Sequence, residues 1–236
     1  CFHADGKLYV YGQAAGKGAP QLYLQAFDHD LRAASKLEAV PQPKMPDLPF
    51  VKATHWGMAI AKDSGCIVFH AFSHLPASDS SVGLLHVYDR SMRLRWEGAV
   101  QVPPGMAVQD CIVDDSGNVV ILAAQFAQGI AYRHGGKPNL DFRLLRCTGP
   151  DAVQTVTLSA GDTLLAAMKV DFGPSGMLVC GGFYTLGSPA GADGTFFARV
   201  DAVAGKVEAQ GLAPFRRDTW PTYAATADSS KLRRLK

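Results

Sequence analysis

Glutamate is nearly missing from this chain. Of its 21 acidic residues only Glu38, Glu97 and Glu208 are glutamates, which leaves 18 aspartates. Glutamate populates exposed helix faces, whereas aspartate accepts hydrogen bonds from turn backbone. With 24 Gly and 14 Pro in 236 residues, the imbalance points to a turn-rich, helix-poor protein. Paired cysteines are lacking too. Cys1, Cys66, Cys111, Cys147 and Cys180 are odd in number, widely spaced and form no CxxC, so nothing suggests a zinc or dithiol motif. The last four fall in apolar runs, where a free cysteine acts as a small buried hydrophobe. No apolar run approaches the roughly 20 residues of a spanning helix. A basic body is absent as well: residues 216–236 carry six basic and two acidic groups (+4), leaving −2 for the other 215 residues. That excludes the positive field on which nucleic-acid binding depends.

What is present is a repeat. A Gly-containing turn precedes a short apolar run four times, in ADGKLYVYGQ, KDSGCIVFHAF, DDSGNVVILAAQF and GPSGMLVCGGFY. The glycines are Gly6, Gly65, Gly117 and Gly176, at intervals of 59, 52 and 59. Each copy is followed by a second hairpin pattern whose polar turn centres on Asp28, Asp89, Thr148 or Asp201. Another apolar run precedes each of the last three Gly turns. One unit is therefore strand, Gly turn, strand, variable loop, strand, polar turn, strand. Such a unit is a four-stranded antiparallel blade, and the fold class expected is an all-β β-propeller of about four consecutive blades. The blades are placed near 1–48, 49–103, 104–160 and 161–215, with 216–236 as a basic tail or the start of another blade. The first lacks room for its opening strand, so the expectation is an incomplete blade in part of a larger propeller. The near-continuous apolar runs Ile67–Phe69, Val119–Leu122 and Met177–Val179 are read as innermost strands, with Ala123-Ala124 and Gly181-Gly182 narrowing towards the axis.

The segments FD-x-DL, DDSGNVVILA and above all VDFGPSGMLVCGGFYTLGSPAGADGTFFARVDAVAGKV resemble a group of large secreted proteins of Bacteroidota. Those pair an xDxxGNVYLLG strand with GLVCAGFY and GTFFLxID strands. The similarity spans roughly residues 20–215 and is densest at 164–207; Pro174 departs from it, standing where an acidic or Asn residue is usual. The resemblance implies a multi-bladed propeller and an extracellular, cell-surface or periplasmic setting, and it carries over no catalytic residue. Cys1 raises the further idea of an acylated lipoprotein terminus, so membrane association would be indirect or through a lipid anchor.

Motifs for chemistry are scarce. No GxSxG elbow occurs, and the DSG triplets at 63–65 and 115–117 are turn chemistry. Asp28-His29-Asp30 and Asp114-Asp115 offer two carboxylates each, too few for a calcium loop. His70 and His74, in HAFSH, would share a helix face but lie about 13 Å apart on a strand, given roughly 3.3 Å per residue. Gly12–Gly18 lacks the phosphate-loop spacing. Trp56, Trp96, Trp220 and Tyr88 could stack on ligands, but core or inter-blade packing is the simpler role. The basic tail residues Arg216, Arg217, Lys231, Arg233, Arg234 and Lys236 fit a solvated terminus.

The function expected from these readings is a non-catalytic scaffold of the bacterial envelope or exterior. It would bind a protein partner or larger envelope assembly, without cofactor or metal, through loops 13–20, 73–82, 127–139 and 185–194. His74, Asp79, Tyr132, Arg133, His134 and Asp193 are the candidate binding residues. The alternative is a propeller hydrolase or lyase acting on a carbohydrate or peptide at the channel mouth, using His86 with Asp89 or His134 with Asp141.

Overall fold

A computed structural model describes residues 1–14, 21–41, 56–75, 80–125, 142–161, 163–186 and 192–215. These form sixteen strands in four separate four-stranded antiparallel sheets, each meandering in chain order. The first blade holds β1 (Phe2–Ala4), β2 (Lys7–Ala14), β3 (Gln21–Phe27) and β4 (Glu38–Ala39). The second holds β5 (Trp56–Ile60), β6 (Cys66–Leu75), β7 (Ser80–Asp89) and β8 (Leu94–Val102). The third comprises β9 (Met106–Val113), β10 (Val119–Gln125), β11 (Phe142–Cys147) and β12 (Val153–Leu158). The fourth comprises β13 (Leu164–Phe172), β14 (Met177–Thr185), β15 (Gly194–Asp201) and β16 (Lys206–Pro214). The fold is the expected all-β stack of propeller blades. The opening strand expected to be missing from the first blade is there, as the three-residue β1 paired with β2.

Aspartate closes the turns. Asp28 Oδ1 accepts from the backbone of Asp30 and Arg32, at 3.0 and 2.9 Å. Asp89 Oδ1 does the same for Ser91 and Arg93, and Asp114 Oδ1 for Ser116 and Asn118. Asp201 Oδ1 takes the amides of Val203 and Ala204, both at 2.8 Å. The third-blade turn at Thr148 closes through backbone alone, its N–H bonded to Ala152 O at 3.0 Å. A carboxylate that mimics the next turn of backbone fixes these hairpins locally, which accounts for the aspartate excess.

The repeated glycine is not one device. Gly6, Gly117 and Gly176 have φ of 68°, 81° and 74°, where a side chain is strained. In the second blade Ser64 takes the left-handed conformation instead, at φ 58°. Gly65 serves a close approach: its N–H donates to Asp115 Oδ1 of the third blade at 2.9 Å, and an added Cβ would lie 2.7 Å from that oxygen.

Blades stack face to face through three apolar layers. Phe69, Ile67 and Leu84 of the second blade meet Phe2, Leu22 and Tyr9 of the first. Val68, Leu85 and Val87 meet Ile121, Val119 and Cys147 of the third. Val120, Leu122 and Leu144 meet Leu178, Cys180 and Phe196 of the fourth. The apolar runs read as innermost strands are thus the second strand of each sheet, flanked on both sides and covered on one or both faces. The innermost position belongs to the first strands, since β9 packs against β5, β6 and β13. Apolar continuity marks burial on two faces and does not report distance from the axis.

Candidate functional site

Where the second and third blades meet along their inner strands, a cleft of about 510 Å³ opens between β5, β6 and β7 on one side and β9 on the other. Met58, Phe72 and Val108 give it apolar walls; His70, Gln109 and Asp110 supply polar groups. Two irregularities shape it. In β9 the pairing jumps from Leu122↔Asp110 to Ala123↔Val108, so Gln109 is the extra residue of a β-bulge, a feature that re-aims side chains. In β5, Gly57 lies opposite His70, and a Cβ there would come within 2.3 Å of His70 Cε1. The imidazole therefore lies across the bare backbone of Gly57, with its other contact to the Phe72 ring at 5.3 Å.

Burial lowers the His70 pKa to about 4, against an opposing pull from the Asp110 carboxylate. At neutral pH the ring is uncharged, so it can hydrogen-bond a ligand but takes up a proton less readily than free imidazole. Asp110 is held from the far side: Lys169 of β13 donates to its Oδ2 at 3.1 Å, with Asp110 22% and Lys169 78% exposed. His70 of the second blade and Asp110 of the third thus line one cleft, and the Lys169–Asp110 ion pair ties the third blade to the fourth. Cys111 lies behind it. Burial, then Cys147 and Asp110, push its thiol well above the usual range, so it stays protonated and unreactive.

The sequence candidates scatter differently. Asp79, Tyr132, Arg133, His134 and Asp141 lie outside the described residues, as do most of the variable loops. His74 sits on β6 four residues past His70, on a strand as expected. Asp193 shapes a connector: its carboxylate accepts from Thr185 Oγ1 at 3.0 Å and from the Leu186 N–H at 2.6 Å. His86 does not pair with Asp89, whose carboxylate is committed to its turn. Its Nδ1 faces Glu97 Oε2 at 3.3 Å, its ring lies 5.3 Å from Trp56, and it is buried between the first two blades. Trp96 bridges blades, donating to Gly117 O at 2.9 Å. Among the described residues no three His, Cys, Asp or Glu side chains converge to hold a metal ion.

Asp110, Lys169 and Gly57 were not singled out from the sequence, though a signal existed. Asp110 pairs with Leu122 and Lys169 with Gly181, and Lys169 follows Asp110, as Gly181 follows Leu122, by 59 residues, the spacing of the third and fourth Gly turns. Gly57, opposite His70, fills the same blade position in the second copy. Three chemically unlike residues at one repeat position mark a place where the repeat serves more than packing.

No family model and no curated protein matches the chain. Solved structures do. A cobalt-substituted Synechocystis apocarotenoid oxygenase (ACO) aligns over 85% of this chain and 46% of its own, with 15% identity and a TM-score of 0.45. A point mutant of the same enzyme aligns over 81% and 46%, with 15% identity and a TM-score of 0.42. An ACO/RPE65 chimera gives 81%, 46%, 14% and 0.41. The chain spans less than half the length of these structures, and the likeness concerns fold. The solved structures that resemble this chain are oxygenases, which goes against the expected non-catalytic scaffold.

Proposed function

We propose that the cleft between the second and third blades is the small-molecule site of a catalytic propeller. In this reading the neutral His70 ring hydrogen-bonds a polar group of a bound substrate, and Asp110, tied to Lys169, supplies the neighbouring negative charge. The observation that carries it is the placement of His70: a half-buried, neutral imidazole laid over Gly57, facing a carboxylate across an apolar cleft. Pockets that bind small ligands combine apolar walls with a few convergent polar groups, as here. Met58, Phe72 and Val108 select a substrate with an apolar body, and Gln109, at the bulge, is placed to hydrogen-bond a polar end.

The test is a fragment screen by histidine-detected NMR on the whole chain. His70 is expected to titrate near pH 4, and apolar fragments bearing one polar group should shift its ring signals. Those shifts should disappear in Met58→Trp, which fills the cleft. A His70 that titrates near 6.5, or fragments that leave its signals unmoved, would overturn the reading.

A further inference from the structure

The cleft between the second and third blades exists because two rings of β6 lean sideways. Strand side chains ordinarily stand off the sheet and fill the space to the next layer. His70 reaches instead over Gly57 of β5, where an added Cβ would lie 2.8 Å from its Nε2. Phe72, two residues on and on the same face, reaches over Gly83 of β7, where a Cβ would lie 2.5 Å from its Cε1. The device recurs singly in the fourth blade, with Tyr184 over Gly194 and Phe197 over Gly211. Among the described residues the second blade alone sets two such rings side by side. Their centroids lie 5.3 Å apart and their planes are inclined at 42°, so the cleft has an aromatic floor.

A hydroxyl stands beside that floor. Ser81 of β7, two residues before Gly83 and so on the same face, lines the cleft and is 8% exposed. No hydrogen bond among the described residues uses its Oγ. A buried hydroxyl without a partner costs stability, and a ligand that bonds it removes that cost. The charges at the cleft cancel. His70 is neutral, and the Asp110 carboxylate is matched by Lys169 at 3.1 Å, with its Oδ1 taken by the Cys111 N–H at 3.1 Å.

We propose that the cleft takes an uncharged, flat aromatic molecule bearing a hydroxyl or amide, its ring against Phe72 and His70 and its polar edge on Ser81 Oγ. This rests on the reading of the cleft as a small-molecule site and narrows its substrate class. A ring packed on aromatic neighbours gains roughly two- to tenfold in affinity over a saturated body of equal area. A net charge taken into a cleft that offers no counter-charge is penalised.

NMR titration of the whole chain at pH 7, read on the His70 ring signals, tests this with 2-naphthol, decahydro-2-naphthol, 2-naphthoate and 2-naphthylmethylammonium. The expected order puts 2-naphthol first, its saturated analogue roughly two- to tenfold weaker and both charged probes roughly tenfold weaker or more. Phe72→Leu should erase the preference for the flat probe. Ser81→Ala should weaken 2-naphthol roughly fivefold while keeping the parent's melting temperature, since the lost hydroxyl bonds nothing within the described residues. Equal binding of the flat and saturated probes, or a charged probe binding best, overturns the proposal and leaves the small-molecule site standing. Unchanged 2-naphthol affinity in Ser81→Ala removes the serine from it. If none of the four probes moves the His70 signals of the parent, both the proposal and the site reading beneath it fall.

Discussion

His86 is buried and His70 half-buried, and desolvation lowers each imidazole to a pKa of about 4. A histidine whose pKa is lower in the folded than in the unfolded chain binds fewer protons when folded. Stability therefore rises with pH between about 4 and 6.5, is complete above 6.5, and is lost as the pH falls through that window. Each ring stands for on the order of 2–3 kcal/mol across it. Urea unfolding from pH 7 to 4 should show this slope, and His86→Phe should flatten part of it without altering binding in the cleft. Gly57→Ala tests the other histidine. The new Cβ must displace the ring from its bed, and the pKa of His70 should rise towards 6.5 as the ring swings towards solvent. NMR titration reads that directly, and the signals of His86 serve as an internal control.

At the scale of elements, the hairpins are held by carboxylates and the blades by seams between turns. Asp114 accepts from Ser116 N, Asn118 N and Asn118 Nδ2, the last at 2.7 Å. Asp114→Ala should cost about 1–2 kcal/mol, the range seen when a side chain that caps backbone donors is removed. The neighbouring turn ties two blades together: Gly65 N meets Asp115 Oδ1, and Cys66 Sγ donates to Asp115 O at 3.3 Å. Gly65→Ala should therefore lower stability by about 1–2 kcal/mol through the lost hydrogen bond. Gly6→Ala meets no neighbour within 4 Å and costs only the left-handed strain of its 68° φ, roughly 1 kcal/mol. Thermal melts of the two alanine variants rank these causes, and a larger loss for Gly6→Ala would contradict the seam.

Across the whole molecule each blade is stabilised by its neighbours, as in other stacked repeats. A chain cut after Leu158 would bare Val120, Leu122, Phe142 and Leu144, all fully or almost fully buried against the fourth blade. That version should bind a hydrophobic dye more strongly than the full chain and aggregate at a lower temperature on warming. Within the intact stack, Leu122→Ala should cost about 2–5 kcal/mol, as a buried side chain whose cavity cannot collapse.

Much of this architecture follows from local chemistry. The alternation of β12, the Asp-closed turns and the unbroken apolar run Val119–Leu122 each act within ten residues, so a chain read alone reveals strands, turns and their repetition. The same reading placed those apolar runs at the axis, because composition reports how many faces are covered but not which element covers them. The site lay beyond such reading. His70, Asp110 and Lys169 come from three blades, and each looks ordinary in its own strand. Sequence by itself determined four antiparallel blades and their order, since hydrogen bonding between neighbouring strands is satisfied locally. Only the stacking of one blade on the next decided that His70, lying over Gly57, would share a cleft with Asp110, and that Asp110 would meet Lys169. Burial of that ring is a property of the stack, and no single strand contains it.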